Sequence, residues 1–244
     1  MIDALCINKK QSIKKLATYI KQQLNDKLYS LVKFKQAHSQ NVHDVDKLYC
    51  DLLNFISLIG SHLNVKSFGY HTLFGEDDDS FLPAHMEKVY KPLGFCRYFA
   101  LACIISPKQG GETRIFDAYK AADLFKKEYP NLVDVLIEYK TSAHPNDVAT
   151  HKLISKTDEG RSLLVYRGGE KNRVVISDVD SRFIDCAVSS VLKRSLIVSH
   201  KWEVGDILFI NNIGTLHDRL PYKGVRKMLR VRFDEDDEYV QVTY

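Results

Sequence analysis

The stretch GDILFINNIGTLHDRLPYKGVRKMLRVRF, residues 205–233, contains two runs of β-branched, aromatic and leucine side chains on either side of a turn-rich segment. Its last run alternates, which is typical of a β-strand with two different faces. One face carries Arg226, Met228, Arg230 and Arg232, and the other carries Lys227, Leu229, Val231 and Phe233. We expect the mostly apolar second face to pack against a further layer. The arginine face then points either to solvent or into the polar lumen of a barrel.

The same texture extends back through the chain to Lys66. Short runs such as CRYFALACIIS (96–106), RSLLVYR (161–167) and NRVVISD (172–178) alternate with turn signals, and two helical stretches interrupt them at 118–130 and 181–196. Short strands at this spacing predict an antiparallel sandwich or jelly roll with helices packed outside. A parallel βαβ fold would need regular alternation of helix and strand, and no Gly-rich phosphate loop is present in the sequence.

Residues 8–60 are predicted to be helical. In KKLATYIKQQLNDKLYSLV (14–32) the apolar positions recur at spacings of three and four, a stripe formed by Leu16, Ile20, Leu24, Leu28 and Leu31. A second amphipathic helix is predicted over DVDKLYCDLLNFISLIGSHL (44–63), with Gly60 near its end. We expect residues 1–244 to form a single domain, in which this helical region (1–65) packs on the barrel.

Composition limits the possible classes of protein. The chain has 244 residues, of which 45% are hydrophobic, and a net charge of only +4, which does not predict a nucleic-acid partner. Five scattered cysteines without C-x-x-C spacing suit free thiols in a reducing compartment. The longest strongly apolar run, YFALACII (98–105), is far shorter than a membrane span. We therefore expect a cytoplasmic protein without a membrane partner; the oligomeric state stays open.

The stretch FLPAHMEKVY (81–90) places His85 and Glu87 two positions apart. On a strand, residues i and i+2 point the same way, so both side chains would project together with Met86 turned away. Imidazole and carboxylate suit a divalent iron-like metal, which needs a third ligand. Of the nine histidines, His217 has the most suggestive neighbours. The residues alone leave other interpretations open: an ordinary surface pair, a loop histidine that caps backbone groups, or a hydrolytic zinc site.

Residues 83–125, which contain H-x-E and then GGET, followed by GDILFINNIGTLHDRLPYKGVRKMLRVRF in residues 205–233, resemble the taurine dioxygenase and clavaminate synthase superfamily. The three motifs occur in the family's order and at fitting distances. The resemblance implies an Fe(II)/2-oxoglutarate-dependent dioxygenase, mainly β with flanking helices, on a double-stranded β-helix of the jelly-roll, cupin-like type. The first eighty residues match no part of that pattern.

The resemblance also implies roles for individual residues. His85, Glu87 and His217 would be the three iron ligands, which leaves positions for 2-oxoglutarate and dioxygen. Thr113 and Arg226 would bind the distal carboxylate of 2-oxoglutarate, and Arg230 would contact an anionic group of the substrate. The His217-to-Arg226 spacing is shorter than is usual in the family, so Arg230 is the alternative co-substrate ligand. Three further positions, Asn211, Asn212 and Asp218, can be compared with the family pattern.

Asn212 matches a family asparagine and is expected to shape the turn before His217. Asn211 stands where many members have aspartate, and Asp218 where many have a small residue. The implied reaction converts 2-oxoglutarate to succinate and CO2 and hydroxylates an unactivated C–H bond. The retained Glu87 argues against halogenation, whereas desaturation and ring closure stay open.

The substrate is expected to be a small molecule resembling an amino acid. The acidic run GEDDDS (75–80) together with Arg230 would offer one anionic and one cationic pole to a zwitterion with a basic side chain. Two alternatives of other kinds are a non-catalytic barrel that senses a small acid or metal, and a nucleic-acid demethylase with the same chemistry. The demethylase would use the lysine-rich N-terminus, which contains eight lysines and two aspartates before residue 41.

Overall fold

A computed structural model describes residues 10–34, 45–63, 68–141, 144–169, 171 and 173–233 of the chain. Its helices are α1 (Lys10–Asp26), α2 (Val45–His62), α3 (Ala118–Glu128) and α4 (Ser181–Ser195), with a 3-10 turn at Pro130–Leu132. Its strands are β1 (Tyr29–Lys33), β2 (Phe68–Asp78), β3 (Leu82–His85), β4 (Tyr98–Ile105), β5 (Gln109–Gly110), β6 (Thr113–Asp117), β7 (Leu136–Thr141), β8 (His144–Lys152), β9 (Ile154–Lys156), β10 (Ser162–Leu164), β11 (Arg173–Val175), β12 (Leu196–His200), β13 (Asp206–Asn211), β14 (Thr215–Arg219) and β15 (Tyr222–Phe233).

Two antiparallel sheets form the centre of the molecule. The major sheet has the order β1-β13-β4-β15-β2, with β5 paired to β15, and the minor sheet has the order β12-β6-β14-β3. Side chains from both sheets meet in one buried cluster, to which the major sheet contributes Phe99 and Met228 and the minor sheet contributes Ile115. This cluster fills the lumen between the sheets. The arrangement confirms the predicted double-stranded β-helix with helices outside.

The last strand, β15, divides its two faces as the alternation predicts. Leu229, Val231 and Phe233 pack with α1 and α2 in a second buried cluster on the outer face of the major sheet. Met228 points into the lumen cluster, and Arg226 on the same face is only 6% exposed. The arginine face therefore points into the barrel, and the outer face is covered by the helical layer.

The first helix ends earlier than the stripe over residues 14–32 predicts. Helix α1 ends at Asp26, Leu28 adopts the left-handed backbone region at φ 68, and residues 29–33 form β1 instead of continuing the helix. Leu31 lies opposite Leu208 of β13. The helical periodicity of Leu28 and Leu31 is overridden because β1 gives the backbone groups of β13 a second hydrogen-bonding partner. The helix predicted over 44–63 is confirmed as α2.

The two later helices, α3 and α4, lie within the stretches 118–130 and 181–196 that the sequence predicts to be helical. Asp117 caps α3 by accepting hydrogen bonds from the backbone amides of Tyr119 and Lys120, and the helix ends before Pro130. None of the helices in the part of the chain that the structure describes is long and apolar enough to cross a bilayer. Cys50, Cys96, Cys103 and Cys186 form no disulfide bond among the described residues, while Cys6 lies outside the described residues.

Candidate metal centre

The two histidines are neighbours across the minor sheet. His85 is the last residue of β3 and His217 lies in β14, and the two are direct partners in the antiparallel register. Directly opposite residues of an antiparallel pair project to the same face, so both rings enter the lumen, with centroids 4.2 Å apart. The sheet therefore brings together two imidazoles that are distant in sequence.

Glu87 completes the cluster from the turn that follows β3. Its Oε1 lies 3.7 Å from Nε2 of His85 and 3.7 Å from Nε2 of His217. One potential ligand atom from each of the three residues lies within 4.8 Å of the other two, and all three residues are buried. Atoms that each lie about 2 Å from one ion are up to about 4 Å apart, and both histidine-to-glutamate distances of 3.7 Å meet this limit. The cluster therefore has nearly the dimensions of a single metal site. Met86 turns away into the core outside the minor sheet, as predicted.

Asn212 holds the backbone of Glu87 in place. Its Oδ1 accepts from the Glu87 amide at 2.9 Å, and its Nδ2 donates to the carbonyls of Glu87 at 3.1 Å and Cys96 at 2.7 Å. We predicted that Asn212 shapes the turn before His217. That role belongs to Asn211 instead, whose Oδ1 accepts from the Gly214 amide at 3.1 Å. Asn212 therefore fixes the backbone of the turn that carries Glu87.

Both imidazoles present Nε2 to the centre of the cluster. The Nδ1 of His85 lies 2.9 Å from the Pro83 carbonyl, which can only accept, so Nδ1 donates and Nε2 is the nitrogen left to face the cluster. Burial, together with the neighbouring His85, lowers the pKa of His217 to about 4, so its ring is neutral near pH 7. Nδ1 of His217 is buried without a hydrogen-bond partner among the described groups. Neutral imidazoles are the form that binds metal.

Arg230 contacts the carboxylate of the cluster rather than open space. Its Nη1 donates to Glu87 Oε1 at 2.8 Å. Burial by itself would raise the pKa of Glu87, but the charge of Arg230 and the two imidazoles outweigh it and hold that pKa well below its usual value. Glu87 is therefore ionised, as a metal ligand must be.

Arg226 is a buried cation in the lumen. Burial lowers its pKa to about 10, and the nearby charge of Arg219 acts in the same direction. Within the described ranges no carboxylate forms an ion pair with Arg226, and its Nε has no hydrogen-bond partner. A buried guanidinium without a counter-ion fits the binding of a carboxylate from a small molecule.

Thr113 lies at the start of β6, two residues before Ile115, the register partner of His217. Its side chain is buried, and Oγ1 accepts a hydrogen bond from Trp202 Nε1 at 3.1 Å. The sequence analysis missed Trp202. The one signal for it is that the chain's single tryptophan stands three residues before the GDILFINN motif.

A family model of the "Taurine catabolism dioxygenase TauD, TfdA family" matches residues 56–232. The chain belongs to this family. The match covers more than half of the chain and includes the two histidines, the glutamate and both arginines of the lumen. The resemblance predicted from the three motifs is confirmed, and so is the class of enzyme, a dioxygenase.

Solved structures share the fold of this TauD/TfdA-family dioxygenase. PvcB of Pseudomonas aeruginosa matches with a TM-score of 0.68 at 14% identity, over 90% of this chain and 81% of that one. OrfP in complex with Fe and α-ketoglutaric acid, the same compound as 2-oxoglutaric acid, matches at 0.63 and 14% over 93% and 80%. AAD-2 in complex with Mn(II) and N-oxalylglycine matches at 0.62 and 14% over 95% and 90%. No curated protein matches the chain significantly.

In this dioxygenase the aspartates of the acidic run, residues 75–80, form hydrogen bonds and ion pairs with other residues of the chain. Asp78 accepts from Arg219 and from Ser80, Asp79 pairs with Lys223, and Asp77 accepts from the Gly224 amide. Arg230, the proposed opposite pole, is paired with Glu87. The geometry therefore does not supply the two free poles that we expected for a zwitterionic substrate with a basic side chain.

A cavity of about 390 Å³ adjoins the metal cluster. Its described lining consists of Leu82, Pro83, His85, Arg167, Gly168, Gly169 and Lys171. Arg167 pairs with His85 through an antiparallel bridge, so its side chain projects to the same face as the imidazole. The described lining holds two cations and no acidic residue. Arg167 was not found from the sequence, because its only motif is a short Arg-Gly-Gly stretch.

Proposed function

We propose that the protein is an Fe(II)- and 2-oxoglutarate-dependent dioxygenase in which His85, Glu87 and His217 bind the iron. The observation that carries this proposal is the buried cluster of two imidazoles and one carboxylate, whose ligand atoms all lie within 4.8 Å of one another. When bound, Fe(II) and 2-oxoglutarate use dioxygen to oxidise a C–H bond of the substrate, with release of succinate and CO2. Hydroxylation is the outcome that we favour, because Glu87 is retained.

The co-substrate ligands are Arg226 and Thr113. Arg226 is buried and has no ion-pair partner in the described part of the chain, and Thr113 offers a buried hydroxyl on the neighbouring sheet. A planar guanidinium binds a carboxylate through two parallel hydrogen bonds. Arg230 is a weaker candidate for this role, because its guanidinium already binds Glu87. This assignment favours Arg226 over Arg230, despite the short spacing from His217.

The substrate that we propose is a small molecule resembling an amino acid, held by a carboxylate. Arg167 supplies a cation beside His85, and its backbone is held firmly: the Gly168 amide donates to Ala84 O at 2.9 Å, and Arg173 Nη1 donates to Arg167 O at 3.2 Å. OrfP has been crystallised with (3S)-hydroxy-L-Arg. A basic side chain of that kind finds no acidic partner in the described lining of this cavity, so we do not extend it to this chain.

We also propose that residues 1–244 form one domain that acts in the cytoplasm. Leu52 and Ile56 of α2 share a buried cluster with Leu229 and Val231 of β15, which supports a common unit. Four cysteines without a disulfide bond among the described residues suit a reducing compartment.

The test of the proposed function is the visible charge-transfer band that forms when Fe(II) and 2-oxoglutarate are added without oxygen. We expect the band in the wild-type protein and its loss in His85→Ala and His217→Ala. His62→Ala, an exposed histidine in α2, serves as the matched control and keeps the band. A wild-type protein without the band, and without slow uncoupled succinate formation in oxygen, would overturn the proposal and favour a sensor or a zinc site.

The substrate class has its own test. Free amino acids are compared with their carboxamides for stimulation of succinate formation, in the wild-type protein and in Arg167→Gln. We expect stimulation by acids only, and a KM about tenfold or more higher in Arg167→Gln. Lys120→Gln, the same charge change on the exposed face of α3, is the control. Equal stimulation by acids and amides would overturn the carboxylate while leaving the enzyme class intact.

A further inference from the structure

Trp202 lies in the connection between β12 and β13 and faces the lumen. It is 3% exposed and packs in the same cluster as Phe99, Ile115 and Met228. Its indole Nε1 donates to Thr113 Oγ1 at 3.1 Å. The contact joins an unassigned residue to the hydroxyl that we place at the co-substrate.

The chemistry of the two groups determines the direction of this hydrogen bond. An indole N–H can only donate, whereas a hydroxyl has one proton and two lone pairs. The Thr113 oxygen therefore accepts from Trp202 and keeps its own proton. No acceptor for that proton lies among the residues whose placement is described. A buried hydroxyl with an unused donor is costly unless a ligand accepts from it.

We propose that Trp202 is a positioning residue that turns the Thr113 hydroxyl into a hydrogen-bond donor toward the co-substrate's distal carboxylate. The inference rests on the proposed function. A carboxylate only accepts hydrogen bonds, so a hydroxyl that presented a lone pair to it would repel it. By occupying a lone pair of Oγ1, the indole N–H removes one such orientation before the carboxylate arrives. Thr113 then reaches the donor orientation with one fewer competing rotamer.

Trp202 is itself held by a second pair of residues. The His200 ring packs edge-on against the indole, with centroids 4.7 Å apart and an interplanar angle of 84°. Nε2 of His200 lies 3.0 Å from Oδ2 of Asp206, whose carboxylate is 1% exposed. His200 is also the register partner of Thr113 across the β6–β12 pair. The indole therefore has one fixed position relative to the hydroxyl.

The experiment exploits the fact that the chain contains one tryptophan. Expression with 3-benzothienyl-L-alanine in place of tryptophan replaces the N–H of residue 202 by sulfur while keeping the shape of the ring. Anaerobic titration with 2-oxoglutarate in the presence of Fe(II), followed by the charge-transfer band, gives the Kd. We expect a Kd about three- to tenfold higher than for the tryptophan-containing protein, with Fe(II) affinity unchanged.

Thr113→Val provides the control that separates positioning from packing. Without the hydroxyl, the indole N–H has no group to orient, so the benzothienyl replacement should add no further loss of 2-oxoglutarate affinity in this variant. An equal loss in both backgrounds would show that Trp202 only fills space and would overturn the proposal. Thermal melting of all four proteins checks that the comparison is made between folded chains.

Failure of this inference differs from failure of the proposed function. If the band forms and its 2-oxoglutarate dependence is unchanged by the benzothienyl replacement, only the role of Trp202 is lost. If no band forms in the wild-type protein, the co-substrate assignment falls and the inference falls with it. Trp202→Phe, which also lacks the N–H, repeats the measurement by substitution and should shift the Kd in the same direction.

Discussion

Arg230 binds the carboxylate oxygen of Glu87 that also faces the two imidazoles. Nη1 lies 2.8 Å from Oε1, and the Nε2 atoms of His85 and His217 lie 3.7 Å from the same oxygen. A divalent ion at the centre of the cluster would share this oxygen with the guanidinium. Arg230 and the metal therefore compete for Glu87, and two cations at that separation repel one another.

Arg230→Gln should bind a divalent metal more tightly than the wild-type protein in the absence of 2-oxoglutarate. Removal of the neighbouring charge lowers the electrostatic cost of metal entry, and we expect a gain in affinity of about tenfold. Anaerobic titration with Mn(II), with free ion measured by EPR, gives the affinity. Lys120→Gln makes the same change of net charge on an exposed helix face and should have no effect. Weaker binding in Arg230→Gln would mean that orientation of Glu87 outweighs the repulsion.

The buried imidazole of His217 makes the stability of the metal-free protein depend on pH. Burial and the nearby His85 lower its pKa from 6.5 in the unfolded chain to about 4 in the folded one. Between these values the unfolded state binds more protons, so the free energy of unfolding falls as the pH falls from 6.5 toward 4. The loss contributed by this ring should reach up to about 2 kcal/mol at pH 5.

Urea unfolding in the presence of a chelator at pH 7, 6 and 5 measures this loss. His217→Asn keeps a small polar group without a titrating ring and should show a shallower decline over the same range. His62→Asn, at an exposed position of α2, should keep the wild-type slope. Identical slopes in the wild-type protein and His217→Asn would contradict the assignment of the pH dependence to this ring.

The features that sequence analysis predicted are those with a local signature. The alternation in residues 226–233 predicts both faces of β15, and the H-x-E spacing predicts that Glu87 and His85 project together while Met86 turns away. The late LH-x-R motif singles out His217. These patterns succeed because side-chain periodicity in a strand or turn depends only on the neighbouring backbone. The proximity of His85 and His217, in contrast, depends on the register between β3 and β14.

The features that sequence analysis missed depend on partners far along the chain. Glu87 is 125 positions from Asn212 and 143 positions from Arg230, and no local pattern links them. The segment 29–33 has a helical stripe, yet it becomes a strand because β13 offers it a register. The contact of Trp202 with the site could not be predicted for the same reason, since its hydrogen-bond partner Thr113 is 89 positions away.

Asn212 should be more sensitive to substitution than its neighbour Asn211. Asn212→Asp keeps the shape of the side chain but replaces Nδ2, which donates to the carbonyls of Glu87 and Cys96, by an acceptor. Two buried carbonyls then face a carboxylate oxygen, and we expect a loss of about 2–4 kcal/mol in unfolding free energy, together with weaker metal binding. Asn211→Asp removes one half-buried donor, to Leu24 O, and should cost about 1 kcal/mol.

Urea unfolding and Mn(II) titration of the two variants test this difference. If both lose equal stability and equal metal affinity, the side chain of Asn212 does not fix the turn that carries Glu87. Loss of metal affinity only in Asn212→Asp would link the hydrogen bonds of Asn212 to the position of Glu87.

Removal of one partner of the Arg114–Asp218 ion pair, beside His217, should lower the free energy of unfolding more than removal of both charges. Arg114 binds Asp218 through two parallel hydrogen bonds, Nε to Oδ1 at 2.9 Å and Nη2 to Oδ2 at 2.6 Å, and the Asp218 side chain is 2% exposed. Arg114→Met leaves a buried carboxylate without its partner, at a cost of about 3 kcal/mol. Arg114→Met/Asp218→Asn removes that charge and should recover most of the loss.

The pH dependence of Arg114→Met provides the decisive control. Burial already raises the pKa of Asp218 against the opposing effect of Arg114, so loss of the guanidinium raises it further. A folded-state pKa above the unfolded value gives stability that is present at low pH and lost as the pH rises through the folded pKa. The deficit of Arg114→Met relative to wild type should therefore be smaller at pH 5 than at pH 7. A deficit that is independent of pH would show that lost packing against Phe81 and Phe116, over which the guanidinium lies, is the cause.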